Sequence, residues 1–319
     1  MTLRFAAAIG VAAVAGAFQT NAPALSHEYA DVNGVKLHYA RAGQGPLMLF
    51  LHGFPEFWYE WKYQLAAFAA DHTVVAPDMR GYNLSSKPEA LSEYAVPTLV
   101  EDLRALAGEL LKSTGGPTFT LVAHDWGGVI AWVFAAQHPE MLDRLVIVNA
   151  PHPTVFSRLL RQDAAQQKAS GYMLMFRGPG AEAALSANSY SMLTSMVLGG
   201  GLANGSVTDE DKELYLAAWS RPGALTGGLN YYRAAGIGPV TTTDQTAAPP
   251  PEIPPLTVRV PTLVIWGEKD TALLTQNLEG LDAYVPNLTI KRIPEGTHWV
   301  VREKAANVNQ LIREYLGQR

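Results

Sequence analysis

Short, continuous apolar runs alternate along this chain with longer amphipathic segments, and this alternation limits its possible folds more than any other feature. The runs end at Leu51, Ala76, Ala123, Val148 and Trp266. A short apolar run without alternation is typical of a strand buried on both faces, as in a mostly parallel sheet. The predicted helices between and after the runs cover residues 58–69, 100–111, 129–137 and 305–316. The sequence therefore predicts an α/β fold, a mostly parallel sheet flanked by helices, with its chemistry at the carboxyl ends of the strands.

One region interrupts this alternation, because residues 151–255 lack strand-like runs and contain helix-like stretches such as 209–219. The region ends in two groups of prolines, at 249–251 and 254–255, which favour a stiff, extended return. We interpret it as a helical cap inserted into the α/β core. The predicted domains are the first part of the core at 27–150, the cap at 151–255 and the second part of the core at 256–319.

The N-terminus has the pattern of an export signal. Arg4 precedes an apolar, alanine-rich run at residues 5–18, and a small-x-small site follows at 22–24. This pattern predicts a signal peptide over residues 1–26 and a secreted or periplasmic protein. An apolar N-terminal helix and an organelle-import signal are the alternatives. The run is too short to span a bilayer, so we expect no stable membrane anchor.

Composition excludes several classes of function. Of the 319 residues 48% are hydrophobic, so a large core is available. With 24 basic and 29 acidic residues the net charge is −5, which argues against a nucleic-acid partner. The absence of cysteine removes thiol nucleophiles, disulfides and cysteine-based metal sites. No His and carboxylate cluster has ligand spacing, so we expect neither a metal nor an organic cofactor.

The sharpest local motif is His-Asp-Trp-Gly-Gly at residues 124–128, between the predicted strand at 118–123 and the predicted helix at 129–137. A residue at such a strand-to-helix corner is exposed above the sheet edge, and in many hydrolases it is the nucleophile. Here the corner residue is Asp125, where serine is common. The alternative is that Asp125 caps the helix, for which aspartate is well suited.

Two further polar residues follow predicted strands. Asp270 comes after the run at 262–266, and His298 comes after a short strand at 289–293. Each alone has an ordinary structural explanation, as a cap, a solvated charge or a structural histidine. Together with Asp125 they have the chain order nucleophile, acid, base, which nucleophile-elbow hydrolases use. We therefore interpret the three as a catalytic triad.

With these motifs the mature chain resembles, over nearly its whole length, the epoxide hydrolases of the α/β-hydrolase fold. The matching segments are HGFPE at 52–56, WYEW at 58–61, DMRGY at 78–82 and HDWGG at 124–128. Two segments of the predicted cap also match, at 172–180 and 229–233. They place the family's two epoxide-activating tyrosines at Tyr172 and Tyr232. Tyr231 is the alternative if the register is shifted by one, and both matches could instead be core tyrosines.

The resemblance implies a two-step hydrolysis of an apolar epoxide by water. Asp125 would attack a ring carbon and form an ester, while Tyr172 and Tyr232 donate hydrogen bonds to the ring oxygen. His298, oriented by Asp270, would then activate water against that ester.

The resemblance also assigns the residues around the ester. The backbone N–H groups of Phe54 and Trp126 would form the oxyanion hole. Glu56 and His124 would position the water, although ordinary loop and turn hydrogen bonding explains them equally well.

Two alternatives share this set of residues. A haloalkane or haloacid dehalogenase uses the same Asp nucleophile, but paired tyrosines suit an oxygen leaving group better than a halide. A non-catalytic ligand-binding protein on the same scaffold would tolerate loss of a triad member, and none is missing here. The sequence does not define the particular epoxide or the oligomeric state.

Overall fold

The computed structural model describes residues 25–239 and 253–317. Within these ranges the strands are β1 (Ser26–Val32), β2 (Val35–Ala42), β3 (Leu47–Leu51), β4 (Thr73–Pro77), β5 (Phe119–His124), β6 (Leu142–Val148), β7 (Thr262–Gly267) and β8 (Leu288–Ile293). The helices are α1 (Lys62–Phe68), α2 (Val96–Thr114), α3 (Asp125–Gln137), α4 (Pro153–Gln162), α5 (Ala164–Ala169), α6 (Tyr172–Arg177), α7 (Ala181–Leu193), α8 (Gly199–Asn204), α9 (Asp209–Trp219), α10 (Ala224–Ala235), α11 (Val300–Glu303) and α12 (Ala305–Leu316). Shorter 3₁₀ turns are Trp58–Trp61, Leu91–Tyr94, Pro139–Met141, Thr275–Leu278 and Leu281–Ala283, and Thr194–Leu198 is a π-helical turn.

The strands form one eight-stranded sheet in the order β1-β2-β4-β3-β5-β6-β7-β8. The pairs β1–β2 and β2–β4 are antiparallel, and the remaining pairs are parallel. The predicted α/β fold with a mostly parallel sheet is confirmed. Because β3, β5, β6 and β7 are parallel neighbours, their carboxyl ends lie at one edge, where the polar residues that follow them come together.

Both faces of the inner strands β3, β4, β5 and β7 are buried, as the apolar runs predicted. In β3 the side chains of Leu47, Leu49 and Leu51 face one core cluster, while Met48 and Phe50 face the other. The first cluster includes residues of α2 and α3, and the second includes residues of α1 and α12. Every residue of β3 is buried, which explains why its sequence is continuously apolar instead of alternating.

Three predicted helices have different bounds in the structure. The segment predicted at 58–69 is a 3₁₀ turn, Trp58–Trp61, followed by α1, because Glu60 N–H bonds the carbonyl of Phe57 three residues back. Helix α2 begins at Val96 rather than at residue 100, and α3 begins at Asp125 rather than at residue 129. The last difference places the helix start directly at the corner motif.

Seven helices, α4 to α10, lie between β6 and β7 in the described part of this segment. Their apolar residues join the core cluster on the α3 side of the sheet, including Phe156, Phe176, Tyr215 and Trp219. Helix α7 contains four non-helical residues, 187–190, which form a kink. The division into a core and a separate cap domain stays a prediction. The prolines at 249–251 lie outside the described residues.

The predicted signal peptide also lies almost wholly outside the described residues, because the description begins at Leu25. In the ranges that the structure does describe, none of the helices combines the length and the apolar character needed to cross a bilayer.

Candidate active site

The corner between β5 and α3 places Asp125 at the carboxyl edge of the sheet. Asp125 has a φ of +47°, a left-handed conformation that costs a non-glycine residue roughly 1–3 kcal/mol. Only glycine fits behind it at position 127, since a Cβ atom there would lie 2.5 Å from the carbonyl oxygens of Leu51 and His52. The tight approach of α3 to β3 therefore holds the corner in its strained form.

The carboxylate of Asp125 has two different oxygens. Oδ1 accepts a 2.8 Å hydrogen bond from the backbone N–H of Phe54, and Oδ2 lies 3.7 Å from Nε2 of His298. Helix α3 itself has no side-chain cap hydrogen bond among the described residues, so these contacts do not support the helix-cap interpretation. Oδ2 accepts no hydrogen bond that the structure shows among its described residues.

His298 lies between Asp125 and Asp270. Its Nδ1 is 2.7 Å from Oδ2 of Asp270, a carboxylate that also accepts hydrogen bonds of 2.8 Å from Asn149 Nδ2 and from the N–H groups of Ala272 and Leu273. A carboxylate with these donors keeps the Nδ1 proton on the histidine, so Nε2 faces Asp125. The structure therefore brings together the three residues predicted as the triad.

The electrostatics of the three residues are coupled. Burial opposes charge on His298, but the neighbouring Asp270 and Asp125 raise its pKa to about 9. Burial likewise opposes charge on Asp270, but His298 and the surrounding hydrogen bonds lower its pKa overall. In the free protein the site thus favours a charged imidazolium between two carboxylates.

Asn149 is a site residue that the sequence analysis missed. It follows β6 directly, donates to Asp270 and accepts a 2.7 Å hydrogen bond from the N–H of Gly267. The sequence contained a signal for Asn149, because a polar residue directly after a buried parallel strand lies at the same sheet edge as Asp125 and Asp270.

A cavity of about 220 Å³ lies above Asp125 and His298. Tyr172 and Tyr232 line it from the helices between β6 and β7, and Met196 and Trp299 also contribute to its wall. Burial and the negative charge of Asp125 raise the pKa of both phenols well above its ordinary value. Both hydroxyls therefore remain protonated and able to donate hydrogen bonds toward a ligand in the cavity.

The structure separates the two candidate tyrosines of α10. Tyr231 is fully buried and its hydroxyl donates a 2.8 Å hydrogen bond to the backbone carbonyl of Arg80. Tyr232 faces the cavity, where its ring packs against those of Phe54 and Trp126. The geometry thus supports position 232 for a residue that contacts a ligand.

Beyond Trp126 lies a second, apolar cavity of about 380 Å³. Trp126, Phe156 and Ile237 are part of its wall. Among the described residues, those that line this cavity include no charged side chain.

The two predicted oxyanion-hole donors, the N–H groups of Phe54 and Trp126, come from a loop and from a helix start. The N–H of Phe54 already bonds Asp125, as described above. Trp126 is the second residue of α3, and N–H groups in the first turn of a helix have no acceptor within the helix. The structure thus shows one of the two donors at the Asp125 carboxylate, while among the described residues it shows no hydrogen bond from the backbone N–H of Trp126, whose role stays a prediction.

Glu56 and His124 have partners outside the cavity. The carboxylate of Glu56 accepts a 2.5 Å hydrogen bond from Tyr215 and an ion-paired one from Arg302, and Glu56 is not part of the cavity wall. His124 contacts the backbone of His298 and the carboxylate of Glu60. The water-positioning role stays a prediction, and these contacts of Glu56 do not support it.

Glu60 and Arg302 were also missed. The sequence signal for Glu60 is an acidic residue within an otherwise aromatic segment, between Trp58 and Trp61, and the structure buries it. Among the described residues no group of three or more histidine or carboxylate side chains is arranged to hold a metal ion.

Comparison with known proteins agrees with this geometry. The sequence matches the α/β-hydrolase fold family over residues 46–305. It is 38% identical to the AB hydrolase superfamily protein YfhM of Bacillus subtilis (strain 168), over 91% of this chain and 97% of that protein. It is 37% identical to epoxide hydrolase 4 of Mus musculus, over 93% of this chain and 82% of that protein.

A solved structure is similar over the same length. The crystal structure of Bacillus megaterium epoxide hydrolase in complex with an inhibitor has a TM-score of 0.82 and 38% identity, covering 91% of this chain and 100% of that one. The fold and the elbow site define an α/β hydrolase. Within that class the chain belongs to the epoxide hydrolase family, and the prediction of this family from the sequence is confirmed.

Proposed function

We propose that this protein hydrolyses epoxides to vicinal diols through a covalent ester on Asp125. One observation carries the proposal: Oδ2 of Asp125 lies beside His298 at the base of a cavity lined by two protonated phenols. Membership of the epoxide hydrolase family supports the substrate class.

In the first step Oδ2 of Asp125 attacks a ring carbon of the epoxide. A new C–O bond forms, the ring C–O bond breaks, and its electrons pass to the ring oxygen. Tyr172 and Tyr232 hydrogen-bond this oxygen, and a proton delivered through them converts it to a hydroxyl. The phenols suit this role because both remain protonated at neutral pH.

In the second step His298 accepts a proton from water, and the hydroxide attacks the carbonyl carbon of the Asp125 ester. The N–H groups of Phe54 and Trp126 stabilise the negative charge that develops on the ester oxygen. Loss of one such donor raises a barrier by roughly 3 kcal/mol. Collapse of the intermediate releases the diol, which takes the proton back from His298, and leaves Asp125 as a carboxylic acid. This acid then gives its proton to His298, which restores the starting carboxylate and imidazolium.

The ester tests the proposal directly. In a single turnover of styrene oxide with excess enzyme in H₂¹⁸O, we expect the label in the Asp125 carboxylate and not in the first diol. In the His298→Gln variant we expect the intact ester to accumulate, seen as an added substrate mass on the peptide that contains Asp125. Label in the first diol would mean direct attack by water and would overturn the mechanism.

The two alternatives give different products in the same assays. A dehalogenase would release halide from a panel of bromoalkanes and form no diol from styrene oxide. A ligand-binding protein would leave the His298→Gln variant unmodified after exposure to the epoxide. The paired phenols above Asp125 favour the epoxide over the halide.

We also propose that residues 1–26 direct export, on the basis of Arg4, the apolar run at 5–18 and the small-x-small site at 22–24. Expression of the full chain in a bacterium with two membranes should yield a periplasmic product shortened at its N-terminus. A full-length product confined to the cytoplasm would contradict export.

A further inference from the structure

A buried acid–imidazole pair lies behind the proposed base. Glu60 comes from the 3₁₀ turn Trp58–Trp61, and its Oε1 lies 2.6 Å from Nδ1 of His124, the last residue of β5. On the other side of the ring, Nε2 of His124 is 3.0 Å from the backbone carbonyl oxygen of His298. Both side chains are almost fully buried. Two short polar contacts of the His124 ring thus lie between Glu60 and the backbone of His298.

The partners of His124 determine where its protons are. A carbonyl oxygen only accepts hydrogen bonds, so Nε2 must carry a proton. Neither Nδ1 nor the two Glu60 carboxyl oxygens have a hydrogen-bond partner of good angular geometry among the described residues, and the 2.6 Å contact between Nδ1 and Oε1 is where they can share a proton. Two lone pairs at that distance repel, so the pair needs one proton between its two atoms. The pair therefore holds this proton either as carboxylic acid and neutral imidazole or as an ion pair.

Burial favours the uncharged form of the pair. It lowers the pKa of His124 to about 4 and raises that of Glu60 to about 8, so at neutral pH the proton belongs to Glu60. Arg302 opposes the shift of Glu60, while the negative charge of Asp125 adds to it. The titratable and charged groups that act on Glu60, on all elements around it, are Glu56, His124, Asp125, Tyr215, His298 and Arg302.

We propose that Glu60 is a positioning residue for the hydrolytic step. As a carboxylic acid it holds His124 in the Nε2–H form, and His124 in turn anchors the backbone of His298. When Glu60 loses its proton, the lone pairs of its Oε1 and of His124 Nδ1 face each other and repel. If the imidazole proton moves from Nε2 to Nδ1, the same repulsion arises between Nε2 and the carbonyl oxygen of His298. Ionisation of Glu60 therefore releases the backbone that holds the base.

This inference rests on the proposed function, because it assigns His298 as the base in ester hydrolysis. It concerns the second chemical step alone. Tyr172 and Tyr232, which act on the first step, do not contact Glu60 through any hydrogen bond that the structure shows among its described residues. Alkylation is therefore the internal control for hydrolysis.

The test compares Glu60→Ala with Glu60→Gln in single-turnover experiments on styrene oxide. Ester formation and ester decay are measured separately between roughly pH 6 and 10. In Glu60→Ala we expect alkylation within about 3-fold of the natural protein and hydrolysis slower by about 10- to 100-fold, as for a misplaced catalytic group.

Glu60→Gln is the conservative rescue. Its amide N–H donates to Nδ1 of His124 at every pH, so we expect hydrolysis near the natural rate at neutral pH. The decline of hydrolysis above about pH 8 in the natural protein should be absent from this variant. Circular dichroism and the amplitude of ester formation report the folded, active fraction of each variant.

The outcomes separate two failures. If the natural protein forms ester and diol but both variants hydrolyse the ester at its rate with its pH profile, this inference is wrong and the proposed function stands. Retention of the alkaline decline in Glu60→Gln would equally overturn it. If the natural protein forms no ester, the proposed function itself fails.

Discussion

At the residue scale, Asp125 and Asp270 differ in the number of hydrogen bonds that they accept, and this difference sets their roles in the proposed chemistry. Asp270 accepts from Asn149, His298 and two backbone amides, so its charge is well stabilised. The hydrogen bond that the structure shows for Asp125 comes from Phe54 and leaves Oδ2 available. Two aspartates 145 positions apart in the sequence thus have different capacities for attack because of their donors.

The neighbouring tyrosines of α10 provide a matched test of the site. Tyr232→Phe should slow ester formation by about 10- to 100-fold, because one of two donors to the ring oxygen is lost. Tyr231→Phe should leave ester formation unchanged and lower the free energy of unfolding by about 1 kcal/mol, because only the hydrogen bond to Arg80 is lost. Stopped-flow kinetics and denaturant titrations measure the two effects. An activity loss in Tyr231→Phe alone would reverse the assignment.

The raised pKa of His298, about 9, predicts how protons move during alkylation. Ester formation removes the negative charge of Asp125, which lowers the pKa of the neighbouring imidazole, so His298 gives up one proton. The alkoxide gains one proton in the same step. We therefore expect no net proton uptake below about pH 9 and an uptake approaching one proton per ester above it.

A pH indicator in weak buffer, monitored during the burst of ester formation, measures this uptake. One proton per ester already at neutral pH would show that His298 has the same charge before and after ester formation. That result would contradict our explanation that His298 loses its proton, and can act as a base, only once Asp125 has formed the ester.

The sequence predicted Asp125, Asp270 and His298 because each follows a predicted strand, which is a local signal. Asn149 follows a strand in the same way, so the sequence contained the information needed to predict it. Glu60 was different, since its importance depends on His124, a partner 64 positions away that no local pattern connects to it.

At the element scale, the close approach of α3 to β3 determines the geometry of the corner. The helix begins at Asp125, four residues earlier than the sequence indicated, because the two glycines after Trp126 lack side chains. A Cβ on Gly128 would overlap the side chain of Ala150, and the structure thus uses both glycines for packing. Sequence periodicity could not locate this boundary, since it depends on contacts with β3.

Two Gly→Ala substitutions compare a packed glycine with a free one. Gly127→Ala should destabilise the protein by about 1–3 kcal/mol and reduce ester formation, because the new methyl group overlaps backbone carbonyls of β3 and the following residue. Gly108→Ala, in the middle of α2 with no atom within 4 Å of the added Cβ, should stabilise it by about 1 kcal/mol. Thermal unfolding measures both, and equal effects at the two positions would contradict the packing argument.

At the scale of the whole molecule, the helices between β6 and β7 are joined to the sheet by buried polar contacts as well as by apolar packing. Tyr215 donates to Glu56, and the indole N–H of Trp219 donates a 2.7 Å hydrogen bond to the carbonyl of Pro55. Arg302 connects Glu56 to the carbonyl of Val197. These contacts were absent from the sequence analysis because they join residues more than 100 positions apart.

This shared packing predicts one cooperative unfolding transition. The core cluster on the α3 side contains residues from the sheet and from the inserted helices, so neither part buries its apolar surface alone. Differential scanning calorimetry should give a single peak whose calorimetric and van't Hoff enthalpies agree. Two resolved peaks, the first without loss of sheet structure, would indicate that the helices unfold independently.

A hydrogen bond from Trp299 connects the proposed base to the π-helical turn on the opposite part of the chain. The Trp299 indole donates a 3.1 Å hydrogen bond to the carbonyl of Met196, both residues line the cavity, and Trp299 directly follows His298. A bulky substituent that pushes Met196 and Trp299 apart breaks this hydrogen bond and disturbs the neighbouring base. Oversized epoxides are therefore expected to alkylate the protein and then remain attached, acting as slow-release inhibitors rather than as compounds that are simply not recognised.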